Sequence, residues 1–252
     1  MIDLSFDLIL LLIAAAFAAG FVDSIAGGGG LITLPALMLA GVPPAQALAT
    51  NKVQGAFGSA TAAISYARAG LVDLRTQWKS AVIAGVASAV GAALITRIPT
   101  DGLRLILPVI LIGIAVFFAV KPGLSDIDRT QRMTPALFAA TAVPALGFYD
   151  GLIGPGAGSF YMIAFVSLAG YGVLRATAHT KLLNFGSNIG GLIAFAIFGS
   201  PLWMIGIVMG LAQMGGASLG ARLASRIGAR LIKPLLVITS TALALRLIWQ
   251  ML

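Results

Sequence analysis

Long apolar runs, each stopped by glycine, proline or charge, divide the chain into ten segments. They lie near residues 4–22, 28–41, 44–67, 77–96, 101–120, 133–149, 156–170, 173–198, 201–222 and 230–250. All ten are predicted helical, because lipid offers unpaired backbone groups no water to bond. Segments 2 and 7 are short, roughly 14 residues or ~21 Å of helix, where a crossing needs about 20 residues. Segments 1–2 and 6–7 therefore read as V-shaped hairpins whose tips stop inside the membrane.

The polar positions repeat. Phe21–Pro35 reads FVDSIAGGGGLITLP, and residues 148–161 read FYDGLIGPGAGSFY. Phe21 aligns with Phe148, Asp23 with Asp150 and Gly30 with Gly158. ATNKVQGAFGS at 49–59 aligns with AHTKLLNFGS at 178–187, placing Lys52 against Lys181. Gly85, Gly91 and Ala92 align with Gly210, Gly216 and Ala217, and Arg104 to Pro108 with Arg230 to Pro234. The offset stays between 125 and 129. The chain thus reads as one transmembrane domain of two five-segment repeats, 1–120 and 133–252, joined by a polar linker, 121–132.

Composition places that pattern in a membrane. Of 252 residues, 59% are hydrophobic and 10% charged, against about 25% charged in soluble domains. Mean hydropathy is +1.02. The fold class expected is an all-α polytopic membrane protein. There is no Cys, which excludes disulfides and thiolate metal sites, and all eight acids are Asp. The acidic start, MIDLSFD, lacks the basic region of a secretory signal, so segment 1 reads as a retained span.

Charge sets the relation between the halves. With an odd number of crossings per half and the N-terminus outside, the inside loops carry eleven basic residues and the outside loops only Arg97 and Arg104. Four crossings per half would split them almost evenly. The positive-inside rule favours inverted repeats with periplasmic termini, and the net charge of +8 reflects topology rather than nucleic acid. Helices 2 and 7, each started by glycine, would then meet near the midplane.

Glycine runs let a backbone approach a ligand, and helix N-termini present free N–H groups with partial positive charge. Gly27, Gly28, Gly29 and Gly30, with Gly154, Gly156, Gly158 and Ser159, would line an anion site; alternatively they only permit tight turns. Asp23 and Asp150 end segments 1 and 6 at equivalent places. Each is a candidate proton carrier or a carboxylate bonding its own glycine turn. Lys52 and Lys181 follow Asn51 and Thr180. They would attract an anion, pair with Asp, or snorkel to an interface.

Further polar residues fall on helical stripes. Thr177, Lys181, Asn184, Asn188 and Gly191 share one face of segment 8; Thr50, Gln54, Thr61 and Ser65 share one of segment 3. Such stripes face a cavity or a partner helix. His179, the only histidine, is a proton shuttle or a hydrogen-bonded polar residue. The pairs Gly206/Gly210 and Gly216/Gly220 suit close helix contact, and Trp78, Trp203 and Trp249 suit interfacial anchors.

The acid before GGGG, the following LITLP, then GVPPAQALATNK, repeated as GLIGPGAGSF and ATAHTKLLN, resembles the TauE/SafE family of sulfite exporter-like permeases. The resemblance covers nearly the whole chain. It implies a bacterial inner-membrane carrier for small anions, especially sulfur oxyanions and organosulfonates. Family patterns often have Thr-Asn where this chain has Thr50-Asn51 and Thr-Lys where it has Thr180-Lys181; Lys52 is additional. The function expected is secondary export of a small anion, with a channel as the alternative. An enzyme is disfavoured by the lack of Cys, Glu and a histidine cluster. No cofactor is expected. The partners expected are the small anion and membrane lipid, with no nucleic acid, and a second copy of the chain in a homodimer.

Overall fold

The computed structural model describes residues 5–98 and 130–228, with Val109 and Arg230. Segments 5 and 10, most of the linker and Trp249 lie outside them. The described residues form α1 (Phe6–Ala26), α2 (Gly30–Leu39), α3 (Pro44–Arg68), α4 (Leu74–Ile95), α5 (Pro135–Ala140), α6 (Ala142–Leu152), α7 (Ala157–Ser167), α8 (Val173–Phe198) and α9 (Trp203–Ile227). Local chemistry starts them. Ser5, Asp73 and Thr134 accept first-turn amides of α1, α4 and α5, and proline opens α3 and α5.

Segment 6, expected as one helix, is broken at Thr141, where φ is −122°. Pro144 is the cause. It has no N–H, and its ring crowds the carbonyl four residues back, at Ala140, where α5 stops. Helix α2 has 10 residues and α7 has 11. At 1.5 Å per residue each is about half the ~30 Å hydrocarbon core. Helices α1, α4, α8 and α9 are long and apolar enough to cross a membrane. Helix α3 is equally long, with 25 residues, but Thr50, Asn51, Lys52, Gln54 and Ser59 are buried on it.

The apolar surface faces outward. Val82, Val86 and Val90 on α4, Ile193 and Ile197 on α8, and Met204 and Leu211 on α9 are exposed, while Lys52, Lys181, Gln213 and Asp150 are buried. That arrangement suits a lipid surround. Trp78 and Trp203 are exposed near the starts of α4 and α9.

Glycines bring the backbones together. A Cβ on Gly151 would lie 1.8 Å from the Ser88 carbonyl, one on Gly190 1.9 Å from that of Gly85, and one on Gly216 2.0 Å from that of Phe17. Gly206 and Gly210 face Val53 and Phe57, and Gly220 faces Phe21 and Ser24, the close contact their spacing predicted.

These contacts also give directions. Ala84 meets Gly147 and Ser88 meets Gly151, so α4 and α6 run parallel. Phe17 meets Gly216 and Ser24 meets Gly220, so α1 and α9 do too. The pairs Ala81–Gly186 and Ser88–Gly191 set α4 parallel to α8, and Val53–Gly206 and Phe57–Gly210 set α3 parallel to α9. Helices α3 and α8 run opposite ways, because Lys52 meets Gly191 while Gly55 meets Asn188.

Candidate functional site

Two glycine elbows position the site. Helix α1 ends at Gly27, where φ is +82°, and Gly28 follows at +85°. Only glycine adopts these values cheaply. The turn aims the amide of Gly29 back at Asp23, whose Oδ1 accepts it at 3.0 Å. Asp23 thus caps α2 from the preceding helix. At the second elbow Gly156 caps α7 with φ +83°, and the Tyr149 hydroxyl donates to the Pro155 carbonyl at 2.6 Å.

The elbows touch. Ser159 Oγ donates to the Ala26 carbonyl at 2.9 Å. A Cβ on Gly27 would lie 2.4 Å from the Ser159 amide nitrogen, and one on Gly30 3.2 Å from Pro155 Cα. The starts of α2 and α7 therefore converge. The amides of Leu31, Ile32 and Ala157 donate to the carbonyls of Gly28, Gly29 and Gly154, whereas those of Gly30, Gly158 and Ser159 have no acceptor among the described residues.

Each elbow acid is held by a lysine from the other half. Lys52 Nζ lies 2.6 Å from Asp150 Oδ1 and donates to the Asp150 carbonyl at 2.5 Å. Lys181 Nζ lies 3.2 Å from Asp23 Oδ2 and donates to the Asp23 carbonyl as well. Lys52 is 2% exposed and Lys181 0%, so neither snorkels. Asp150 Oδ2 also accepts from Asn184 Nδ2, at 3.1 Å, and from Ser187 Oγ. The turn-bonding alternative is thus realised at Asp23, and pairing with lysine at both acids.

A cavity of about 30 Å³ lies between the elbows. Asp23, Gly28, Gly29, Gly30, Asn51, Asp150, Gly154, Gly156, Gly158 and Asn184 line it. Of the expected site residues, Gly27, Lys52, Ser159 and Lys181 stand behind this wall, and Thr180 does not line it. Thr180 is buried, and its Oγ1 has no partner among the described residues. Asn51 Oδ1 accepts from Thr33 at 2.7 Å and from Gln54 at 3.0 Å. Its Nδ2 is thereby turned toward Gly30.

Three lining residues were not among the expected ones: Gly55, Ala157 and Gln213. Asn188, noted only within a stripe, lines the cavity too. The signal for Gln213 was available, since an uncharged amide in an apolar run is rare in membrane helices. Thr61 and Ser65 do not join the site. Each is half-buried and donates to the carbonyl four residues back in α3.

His179 lies apart from the elbows. It packs against Tyr171 and Phe165, ring centroids 4.9 and 5.6 Å away, beside a separate cavity of about 260 Å³. Gln77 donates to its carbonyl at 3.1 Å.

Residues 12–247 match the family model described as Sulfite exporter TauE/SafE. Among curated proteins, the chain is 55% identical to "Probable membrane transporter protein ORF9" of a Sinorhizobium species, covering 98% of this chain and 94% of that one. It is 47% identical to "Probable membrane transporter protein YfcA" of Escherichia coli K12, over 93% and 87% of the two chains. A "Probable membrane transporter protein" of Haemophilus influenzae is 40% identical, over 98% and 97%. No solved structure matches the chain. An apolar exterior around buried ion pairs, and similarity along nearly the full length, lead to one conclusion: the chain belongs to the sulfite exporter TauE/SafE family and is a membrane transporter.

Proposed function

We propose that the chain is a secondary transporter exporting a small anion, a sulfur oxyanion or organosulfonate, across the bacterial inner membrane. The observation that carries this reading is the convergence of two glycine-started helices on one cavity whose flanking acids are already neutralised. Helix N-termini attract anions, and an unpaired carboxylate would repel them. Gly28, Gly29, Gly30, Gly154, Gly156 and Gly158 supply the backbone wall, and Asn51 and Asn184 the amides.

The halves act as inverted repeats in this reading. Support comes from the helix directions: α1, α3 and α9 point one way, and α4, α6 and α8 the other. Helices α1, α3 and α4 thus oppose their counterparts α6, α8 and α9, with periplasmic termini following from the basic loops. Gly55, Asn188 and Gln213 fall near the middles of α3, α8 and α9, which have 25, 26 and 25 residues. That depth suits a site reached alternately from either side.

The cavity's 30 Å³ is room for one or two waters. An oxyanion enters only if the elbows part, as alternating access requires. An anion leaving a negative interior gains about 2.3 kcal/mol per charge per 100 mV, enough to drive export without proton coupling. Flux of sulfite and organosulfonates from proteoliposomes, with and without a pH gradient, is the test. Saturating, counter-transport-stimulated flux is expected. Flux that never saturates supports a channel, and no anion flux removes the reading.

A further inference from the structure

The cavity between the elbows is charge-balanced. Asp23 and Asp150 line it, and Lys181 and Lys52 neutralise them from behind, at 3.2 and 2.6 Å. No other charged side chain lines it among the described residues. What remains to hold a ligand is dipolar: the backbone amides of Gly30, Gly158 and Ser159, which have no acceptor among the described residues, and side-chain amides.

One side-chain amide is uncommitted. Gln213 is 4% exposed and lines the cavity, yet its Oε1 has no partner and no group accepts from its Nε2 among the described residues. It lies in the notches left by Gly20 and Gly58; a Cβ on Gly58 would meet Nε2 at 2.6 Å. A buried amide without a partner is costly and calls for an explanation. The symmetry deepens the point. The offset of 129 that relates Lys52 to Lys181 places Gly55 and Gly58 opposite Asn184 and Ser187. Those two fasten Asp150, while their glycine counterparts leave room for Asn188 and Gln213 at the cavity.

We propose that this cavity selects singly charged oxyanions over dianions, and that Gln213 Nε2 is one of the dipolar donors that hold them. The proposal rests on the cavity being the anion site. Its physical basis is scaling. Attraction to fixed dipoles grows in proportion to ligand charge, while the cost of stripping water from an ion grows as its square. With no uncompensated lysine to offset the second charge, and two carboxylates on the wall, a dianion loses more than it gains.

The test uses the full-length protein in lipid nanodiscs, titrated with methanesulfonate, a permanent monoanion, and sulfate, a permanent dianion. Methanesulfonate is expected to bind tighter by a factor on the order of a hundred. Equal binding, or tighter sulfate binding, overturns the selectivity and leaves the anion site standing; binding of neither removes both. Gln213→Leu is expected to weaken methanesulfonate binding about tenfold with thermal stability unchanged or raised, because an unpartnered buried amide is removed. Gln213→Glu is expected to weaken it further. Unaltered affinity in both variants removes Gln213 from the site, and a variant that fails to fold leaves the wild-type comparison of the two anions decisive.

Discussion

Lys52 Nζ and Asp150 Oδ1 lie 2.6 Å apart, although 98 residues separate them and their side chains are only 2% and 3% exposed. A buried pair of this kind is sensitive to losing one member, because the other charge is stranded. Lys52→Met is expected to cost about 3–5 kcal/mol of stability. Lys52→Met combined with Asp150→Leu is expected to recover more than half of that. Thermal unfolding of the purified protein in detergent measures both.

The two acids are unequally fastened. Asp150 accepts from Lys52, Asn184 and Ser187, whereas Asp23 accepts from Lys181 and the Gly29 amide. Ser187→Ala is expected to lower stability by about 1.5–3 kcal/mol, the usual worth of a hydrogen bond to a charged group. Asp150→Asn is expected to destabilise more than Asp23→Asn. Unfolding midpoints of the three variants check the order.

Elbow contact is testable at glycine. Gly27→Ala puts a Cβ 2.4 Å from the Ser159 amide nitrogen at a residue whose φ is +82°. The left-handed backbone alone costs about 1–3 kcal/mol. Gly156→Leu carries the same backbone penalty at φ +83°, and Gly29→Leu drives a side chain into Asp23, whose Cβ is 2.8 Å from the added atom. All three are expected to abolish flux while the protein still reaches the membrane. Membrane-fraction yield and proteoliposome flux separate the two effects.

Lys181 contributes to the site through Asp23. It is 0% exposed and does not line the cavity. Lys181→Ala is expected to lower both anion affinity and stability, since it leaves a carboxylate unpaired on the cavity wall. Adding Asp23→Asn to Lys181→Ala is expected to restore much of the affinity. Titration with methanesulfonate alongside thermal unfolding decides.

Much of this was legible in the apolar pattern. The expected segment 173–198 coincides with α8, and 44–67 ends one residue short of α3. Runs of lipid-facing residues bounded by glycine and proline leave little freedom, which is why those limits read well. The break at Thr141 was missed, although Pro144 stands three residues beyond it. The lysine–aspartate crossing was one of three open readings, because pairs separated by 98 and 158 residues obey no local spacing rule. Gln213 escaped notice because its importance lies in the glycines opposite, Gly20 and Gly58, on two other helices.

The crossed lysines bear on biogenesis. When the first half has left the ribosome, Asp23 and Lys52 are both made but their counterions, near residues 181 and 150, are not. Until then the nascent hairpin holds two uncompensated charges, which the insertion machinery must shelter from lipid. Completion of the final fold therefore waits on translation of the second half, which alone supplies Asp150 and Lys181.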